Sequence, residues 1–149
     1  MKMIQLSNRI EMQTFLEDFY EAISYDGSPE FKDYVPTGIW ISLFEGEGSV
    51  YNLAGFINLE PLNNVTWIAH IMIYETFRGN GSEEWAIQAA EYMRGKLGAK
   101  KFLAITPYKA AKQYAERAGF TYLTMLSKSI KKNGELMDQY LLELSGGDL

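Results

Sequence analysis

Apolar positions along the chain follow strand spacing and helix spacing in turn, which predicts a sheet flanked by helices. Residues 2–6 suit a short strand, and Ser7 is placed to cap a helix with a 3.6-residue apolar period. The apolar positions of this helix are Met12, Phe15, Leu16, Phe19 and Ile23. After a loop from Tyr25 to Pro36, β-branched and aromatic runs at 39–44 and 50–59 predict a hairpin. Residues 65–74 are apolar on both faces and predict a central strand.

The second half of the chain predicts two helices and three further strands. Residues 83–97 form an amphipathic helix that Gly98 ends, with the apolar positions Trp85, Ala86, Ala89, Ala90, Met93 and Leu97. A strand at 101–105 leads to a helix over roughly 108–118, whose narrow inner face consists of Ala111, Ala115 and Ala118. Strands at 120–126 and 136–144 are joined through Asn133-Gly134, a pair suited to a type I′ turn. The predicted order is β-α-loop-β-β-β-α-β-α-β-β, in one domain over residues 1–149.

Composition excludes several classes of protein. The 149 residues, 47% hydrophobic and 22% charged, are enough for one domain that buries ~68% of its unfolded surface. The net charge of -5 provides no basic footprint for nucleic acid. The longest apolar stretch, at 67–74, is too short to span a membrane, and residues 1–6 lack the apolar region of a signal peptide. We therefore expect a soluble, non-secreted protein, with the cytoplasm as the default compartment.

Cysteine and histidine content limits the available chemistry. With no cysteine there is no disulfide, no thiolate zinc ligand and no cysteine nucleophile. With a single histidine, His70, a metal site made of several histidines is excluded as well. We expect no metal.

The segment Arg78-Gly79-Asn80-Gly81-Ser82 lies between the predicted central strand and an amphipathic helix. Small residues at this place let the backbone approach a ligand, and the N–H groups of the helix point at an anion such as a pyrophosphate. A tight turn with Ser82 as the N-cap residue explains the same letters. The Walker spacing and the three-glycine dinucleotide pattern are absent.

The whole succession of elements resembles the GNAT family of acyl-CoA-dependent N-acetyltransferases. Residues 73–81 are similar to the family's signature, and residues 111–120 are similar to its helix that ends in Gly-Phe. The resemblance implies an α/β (α+β) fold with a central mixed, mostly antiparallel sheet of about six to seven strands flanked by helices. It also implies acetyl-CoA (coenzyme A), held by the backbone near Ile73 and by the loop residues Arg78, Gly79, Asn80, Gly81 and Ser82. In the family, the central strand and the next one separate to form the slot where thioester and amine meet.

Two positions depart from the family pattern. Glu83 stands where the last small residue of the loop belongs. A carboxylate there gains ~0.3–1 kcal/mol from the helix dipole, but it repels a bound pyrophosphate and so puts coenzyme A binding in question. Ala115 stands at the family's frequent tyrosine, which commonly protonates the departing thiolate. Tyr114 is one residue away, about 100° around the helix, and is either that acid on a rotated helix or a packing aromatic.

A transferase of this kind needs a group that deprotonates the amine. His70, with an unperturbed pKa of ~6.5, suits that task, but in a strand it shares a face with Ile68, Met72 and Tyr74 and is equally explained as a core residue. Glu75, at the mouth of the strand, is the second candidate.

Acidic and aromatic side chains mark the expected acceptor side. Glu45, Glu47 and Glu60 would attract a cationic amine, or would simply be solvated. Aromatic residues surround the loop that covers the acceptor in GNAT relatives, where they line a site or anchor the loop: Tyr20, Tyr25, Phe31, Tyr34 and Trp40.

Two functions remain open from the sequence. The first is an acetyl-CoA-dependent N-acetyltransferase that acts on a primary amine, of a small molecule or of a protein, by direct attack. The second is a catalytically degenerate GNAT-fold protein with a binding or assembly role, for example in the assembly of phage virions, and the departures at Glu83 and Ala115 favour it. The acceptor and the oligomeric state, whether a homodimer or a complex with an assembly partner, are not determined.

Overall fold

The computed structural model describes residues 2–8, 12–13, 16–79 and 81–145. Within these ranges the strands are β1 (Lys2–Leu6), β2 (Ile39–Glu47), β3 (Val50–Pro61), β4 (Thr66–Ile73), β5 (Lys101–Thr106), β6 (Thr121–Lys132) and β7 (Glu135–Ser145). The α-helices are α1 (Tyr20–Ile23), α2 (Glu83–Leu97) and α3 (Lys109–Arg117). Short 3-10 turns occupy Glu17–Phe19, Phe31–Asp33 and Glu75–Phe77.

The strands form one sheet in the order β1-β2-β3-β4-β5-β7-β6. Every neighbouring pair is antiparallel except β4 and β5, which run parallel because α2 connects them. The prediction of a mixed, mostly antiparallel sheet is therefore confirmed. So is the central place of the apolar strand β4, which has three strands on either side.

One face of the sheet packs against the long helix α2. Its inner positions Trp85, Ala89 and Met93 are buried as predicted. They belong to a cluster with strand residues from the centre of the sheet, including Ile41, Leu43, Ile57, Leu59, Ile73 and Phe102. This burial, rather than helix propensity alone, holds α2 in place and fixes its N-terminus beside the end of β4.

The opposite face packs against the segment that contains α1. Leu16 and Phe19 are buried there, with Met12 and Ile23 packed around them, so the predicted apolar face of this segment is confirmed at these positions. Phe15 lies outside the described residues. The ring of Phe19 meets that of Phe56 on β3 edge to face, with centroids 5.9 Å apart. The sheet therefore lies between a helical layer on each side.

Two predicted glycine signals appear where backbone conformation requires them. Asn133 and Gly134 have φ of 53° and 79°, as a type I′ turn demands, and they join Lys132 to its ladder partner Glu135. Gly98 ends α2 at a φ of 67°, with its N–H donating to the Arg94 carbonyl at 3.1 Å.

Two expectations about the C-terminal half differ from the structure. Ala111 is exposed, whereas Ala115 and Ala118 are buried. The reason is that α3 starts beyond the end of β5, where β4 has already separated, so its first turn has less sheet to pack on. Strand β6 continues to Lys132 rather than ending at residue 126, because two register shifts let it follow β7 to the turn.

None of the helices in the described ranges is long and apolar enough to cross a bilayer.

Candidate active site

The central strands β4 and β5 separate within the sheet. Their ladder joins Thr66–Ile68 to Lys101–Leu103 and goes no further in the part described, although β4 continues to Ile73. On its other side β5 stays paired with β7 along its whole length. The facing edges of β4 and β5 beyond this point therefore offer backbone donors and acceptors to an extended, amide-containing ligand.

The loop that follows β4 is fixed by its own arginine. The Nε of Arg78 donates to the carbonyl of Ile73 at 2.9 Å, which closes the segment back on the end of the strand. Gly79 and Gly81 have φ of 81° and 76°, and a Cβ at either position would meet no atom within 4 Å. Glycine is needed there for the left-handed backbone rather than for lack of space. Asn80 lies outside the described residues.

Ser82 begins helix α2, as predicted, but its side chain makes no capping hydrogen bond. The residue is fully buried. Its carbonyl accepts the N–H of Trp85 at 3.0 Å and the hydroxyl of Tyr114 at 2.7 Å. The start of α2 is thereby held from α3 as well as from within the helix.

Tyr114 is the residue that makes this link. Its ring packs against the cluster on the α2 face, and burial raises the pKa of its hydroxyl, so the phenol stays protonated at neutral pH. Ala115, at the family's tyrosine position, is buried and points elsewhere on the helix. The hydroxyl of Tyr114 thus lies at the loop and not free in the slot, since it is already donated to Ser82.

Glu83 occupies the first turn of α2 and pairs with Arg117 at the end of α3. Arg117 Nε lies 3.2 Å from Glu83 Oε1. The pKa of Glu83 is lowered, first by its own backbone N–H and then by the hydrogen bond and charge of Arg117. A charged carboxylate therefore stands where an anionic ligand of this helix would be held, but its charge is balanced by Arg117.

His70 lies on β4 two residues after Ile68, which is the last residue of β4 that pairs with β5. Its face is the one that carries Met72 and Tyr74 toward α1, as the alternation predicted. The side chain is exposed, yet burial by the surrounding protein lowers its pKa below the ordinary value, and Glu60 opposes this only in part. The imidazole therefore lies exposed beside the gap that opens between β4 and β5 beyond Ile68 and Leu103, called the groove below, and it is neutral at pH 7.

Glu75 opens the turn after β4 and is exposed, and its backbone carbonyl accepts the N–H of Arg78 at 3.1 Å. The preceding residue, Tyr74, has a role that the sequence analysis missed. Burial raises the pKa of Tyr74 to about 12, helped by the hydrogen bond that its hydroxyl donates to Asp18 Oδ2 at 2.8 Å. The end of β4 is therefore tied to the helical segment beneath it, a contact between residues 56 positions apart that no local signal indicates.

The loop after α1 is hydrogen-bonded to the β6–β7 turn. The Asp26 carboxylate accepts the N–H groups of Asn133 at 2.9 Å and Gly134 at 2.8 Å. Asp26 N–H donates to the carbonyl of Lys131 at 2.9 Å. Lys132 Nζ donates to the hydroxyl of Tyr108 at 2.9 Å. These bonds join the loop, the hairpin and the start of α3 around one side of the groove.

Three aromatic rings and one acid lie on the same face of the sheet as the segment that contains α1. The ring of Tyr20 lies 5.2 Å from that of Phe31 and 5.0 Å from that of Tyr34, measured between centroids. Glu60 accepts a hydrogen bond from Thr37 Oγ1 at 2.9 Å. Of the other residues considered from sequence, Trp40 is buried in the core and Tyr25 is 56% exposed.

A cavity of about 370 Å³ adjoins the loop from the β2 side. Its described lining residues are Glu45, Thr76, Phe77 and Trp85. Neither His70 nor Tyr114 is among these described lining residues.

A mixed sheet whose central strands separate beside a glycine loop and a helix N-terminus is the architecture of the acyl-CoA N-acyltransferases. The profile of the Acetyltransferase (GNAT) family matches residues 9–120, and the chain belongs to this family. Acetyl-CoA is the acyl donor of GNAT acetyltransferases. No curated protein sequence matches the chain.

Solved structures share the fold at low sequence identity. The crystal structure of spermidine N-acetyltransferase from Vibrio cholerae in complex with CoA and spermine is 15% identical, with a TM-score of 0.75, and the match covers 97% of this chain and 95% of that one. A GNAT-family acetyltransferase from Bacillus anthracis is 18% identical over 62% of this chain and 58% of that one, with a TM-score of 0.56. At these identities the likeness concerns the fold.

Proposed function

We propose that the chain is an acetyl-CoA-dependent N-acetyltransferase that acetylates a primary amine by direct attack. The observation that supports this most is the position of His70, two residues beyond the point where β4 and β5 separate. A neutral imidazole on the floor of a groove, next to strand edges that can hold an extended thioester ligand, combines a base and a binding slot.

The loop and the start of α2 are the proposed binding site for the donor. Acetyl-CoA supplies an acetyl group activated as a thioester. The free edge of β4 up to Ile73 suits the amides of its pantetheine arm, and the N–H groups near Gly79 and Gly81 suit its pyrophosphate. Asn80 remains a prediction from sequence. The residues fit such a ligand because Arg117 already balances the charge of Glu83.

His70 is the proposed general base. Its lowered pKa keeps the imidazole unprotonated at neutral pH, so it is ready to take the proton that the amine loses as its nitrogen bonds to the acetyl carbon. The C–S bond of the thioester breaks in the same reaction, and water protonates the departing thiolate. Glu75 is the second candidate, but its exposed position beyond the end of β4 supports a weaker role.

Tyr114 is proposed to position the loop. Its hydroxyl donates to the Ser82 carbonyl, and an acid role would require that bond to break first. A raised pKa also makes the phenol a weaker acid. We therefore assign the hydroxyl to holding the N-terminus of α2.

Two measurements test the proposal. Thermal unfolding with acetyl-CoA at one hundred times its Kd should show ~2.7 kcal/mol of added stability, a rise of several degrees in Tm. With a panel of primary amines, release of the coenzyme A thiol should be seen for the wild type and fall by about 10²–10⁴-fold in kcat/KM for His70→Ala, at unchanged acetyl-CoA affinity. Gln88→Ala, an exposed change on α2, is the control.

The outcomes separate the two functions considered from sequence. Acetyl-CoA binding without turnover of any amine would favour a degenerate protein that keeps the site. Failure to bind acetyl-CoA would favour the assembly role, for which only a partner surface is needed. An equal loss of turnover and cofactor affinity in His70→Ala would assign His70 to structure.

A further inference from the structure

Glu60 is a half-buried carboxylate on β3 that forms no ion pair within the part of the chain that the structure describes. Thr37 Oγ1 donates to its Oε1 at 2.9 Å. The ion pairs within the described ranges involve other acids, namely Glu30, Glu83, Glu116 and Glu143. Withdrawing a carboxylate from water is unfavourable unless a cation or several donors compensate it, so a cationic ligand would be favoured at this position.

The register of the sheet places Glu60 diagonally across from His70. Glu60 faces Ile68 and Asn58 faces His70 in the β3–β4 ladder, so Glu60 and His70 point to the same side of adjacent strands. Diagonal neighbours of this kind are ~7–8 Å apart. Burial is the larger cause of the pKa shift of both His70 and Tyr34, and the charge of Glu60 opposes the lowering of the pKa of His70 and adds to the raising of the pKa of Tyr34.

The surroundings of Glu60 also suit a cation. Tyr34 is half-buried near the carboxylate, and the rings of Tyr20 and Phe31 lie beyond it in tilted contacts. Aromatic faces attract ammonium groups and contribute no competing positive charge. An extended molecule with a nitrogen at His70 would therefore meet a carboxylate and an aromatic wall a short methylene chain further on.

We infer that Glu60 binds a second positive charge on the acceptor, and that the preferred acceptors are diamines or polyamines rather than amines with a single nitrogen. The inference rests on the proposed function, because it takes His70 as the base for the reacting nitrogen. Glu60 is in this sense a specificity-determining residue. It holds the far ammonium while the near amine reaches the point where β4 and β5 separate.

The test compares putrescine with n-butylamine, which has the same carbon chain and one nitrogen fewer. The wild type should favour putrescine by about 10- to 100-fold in kcat/KM, the range of a hydrogen bond to a charged group. Glu60→Gln keeps an acceptor for Thr37 but removes the charge, so the preference should fall to near unity, through KM for putrescine, with n-butylamine unaffected. Glu91→Gln, which removes an exposed acid on the outer side of α2, is the matched control and should keep the preference.

Calorimetric titration of putrescine into the protein without acetyl-CoA reads the site independently of turnover. Binding to the wild type and to Glu91→Gln, but at least tenfold weaker binding to Glu60→Gln, is the expected result. An active wild type whose preference is the same in Glu60→Gln overturns the role of Glu60 and leaves the proposed function intact. An inactive wild type that binds putrescine through Glu60 overturns the proposed function instead, and absence of putrescine binding by a folded wild type overturns the inference. Thermal unfolding of each variant verifies the fold.

Discussion

The Nε of Arg117 lies 3.2 Å from Oε1 of Glu83, and this pair ties the last turn of α3 to the first turn of α2. The carboxylate lies at the helix end where an anionic ligand would be held. Glu83→Gln or Glu83→Gly should therefore strengthen acetyl-CoA binding by about two- to fivefold, the factor that ~0.3–1 kcal/mol corresponds to. Calorimetry measures it, with Glu91→Gln on the exposed side of α2 as control. Unchanged or weaker binding would remove Glu83 as the obstacle.

Loss of the Arg117 charge should weaken acetyl-CoA binding, whereas loss of the Glu83 charge should strengthen it. Arg117→Gln leaves the Glu83 charge unbalanced and should weaken acetyl-CoA binding by about two- to fivefold. In a Glu83→Gln background the same change should have little effect, because no carboxylate remains to be balanced. A double-mutant cycle on the acetyl-CoA dissociation constant measures this coupling. Additive effects would mean that Arg117 acts on the ligand without Glu83.

The bond from Tyr114 to the Ser82 carbonyl predicts a loss of stability. Tyr114→Phe removes the hydroxyl and leaves the ring, so the free energy of unfolding should fall by about 0.5–1.5 kcal/mol. Tyr25→Phe, at a side chain that is 56% exposed, should leave stability unchanged. Thermal unfolding measures both. If Tyr114→Phe instead keeps its stability and loses the alkaline limb of the pH–rate profile, the hydroxyl is an acid and not a tether.

His70 is the one histidine in the chain, so its ring signals can be followed by NMR without assignment. Desolvation lowers the pKa of His70, and it should titrate below ~6.5. Glu60→Gln should move it lower still, because the Glu60 charge raises it. A value at or above 6.5 in the wild type would contradict the groove-floor position.

The lowered pKa of His70 also makes the free energy of unfolding depend on pH. Because the pKa of His70 is lower in the folded state, the unfolded chain takes up the proton first as pH falls. The contribution of His70 to the free energy of unfolding is therefore complete above pH ~6.5, and it decreases as the pH drops from 6.5 toward the pKa of the folded state. His70→Gln should lack that part of the decrease. Denaturant unfolding of both proteins between pH 5 and 8 measures the difference, and parallel curves would argue against it.

The hydrogen bonds from the β6–β7 turn to Asp26 predict a separate effect on the acceptor. Asp26→Ala removes the acceptor for the N–H groups of Asn133 and Gly134, so the loop and the hairpin should come apart more readily. Amide exchange at Asn133 and Gly134 should accelerate, and KM for the amine should rise while acetyl-CoA affinity stays the same. Asp33→Ala, an exposed change in the neighbouring 3-10 turn, is the control. Equal exchange rates in both variants would show that Asp26 does not hold the turn.

Elements with a local cause were predictable from the sequence alone. The bounds of α2 follow from its apolar period and from Gly98, and the last hairpin follows from Asn133-Gly134, since only those residues adopt the turn without strain. The alternation of β4 placed His70 on its correct face. The glycine loop before α2 was also visible, because glycine spacing is a property of adjacent residues.

Relationships between distant residues were decided by the tertiary structure. Glu60 and His70 are diagonal neighbours on one face of the sheet only because the β3–β4 register sets Glu60 opposite Ile68, and a shift by one residue would turn the side chains of one strand to the other face. The pairing of Glu83 with Arg117 and the bond from Tyr114 to Ser82 depend on how α3 packs beside α2. The sequence determined the elements and the candidate residues through nearest-neighbour preferences. Packing and strand register determined which of those residues meet, because such contacts join positions with no local influence on each other.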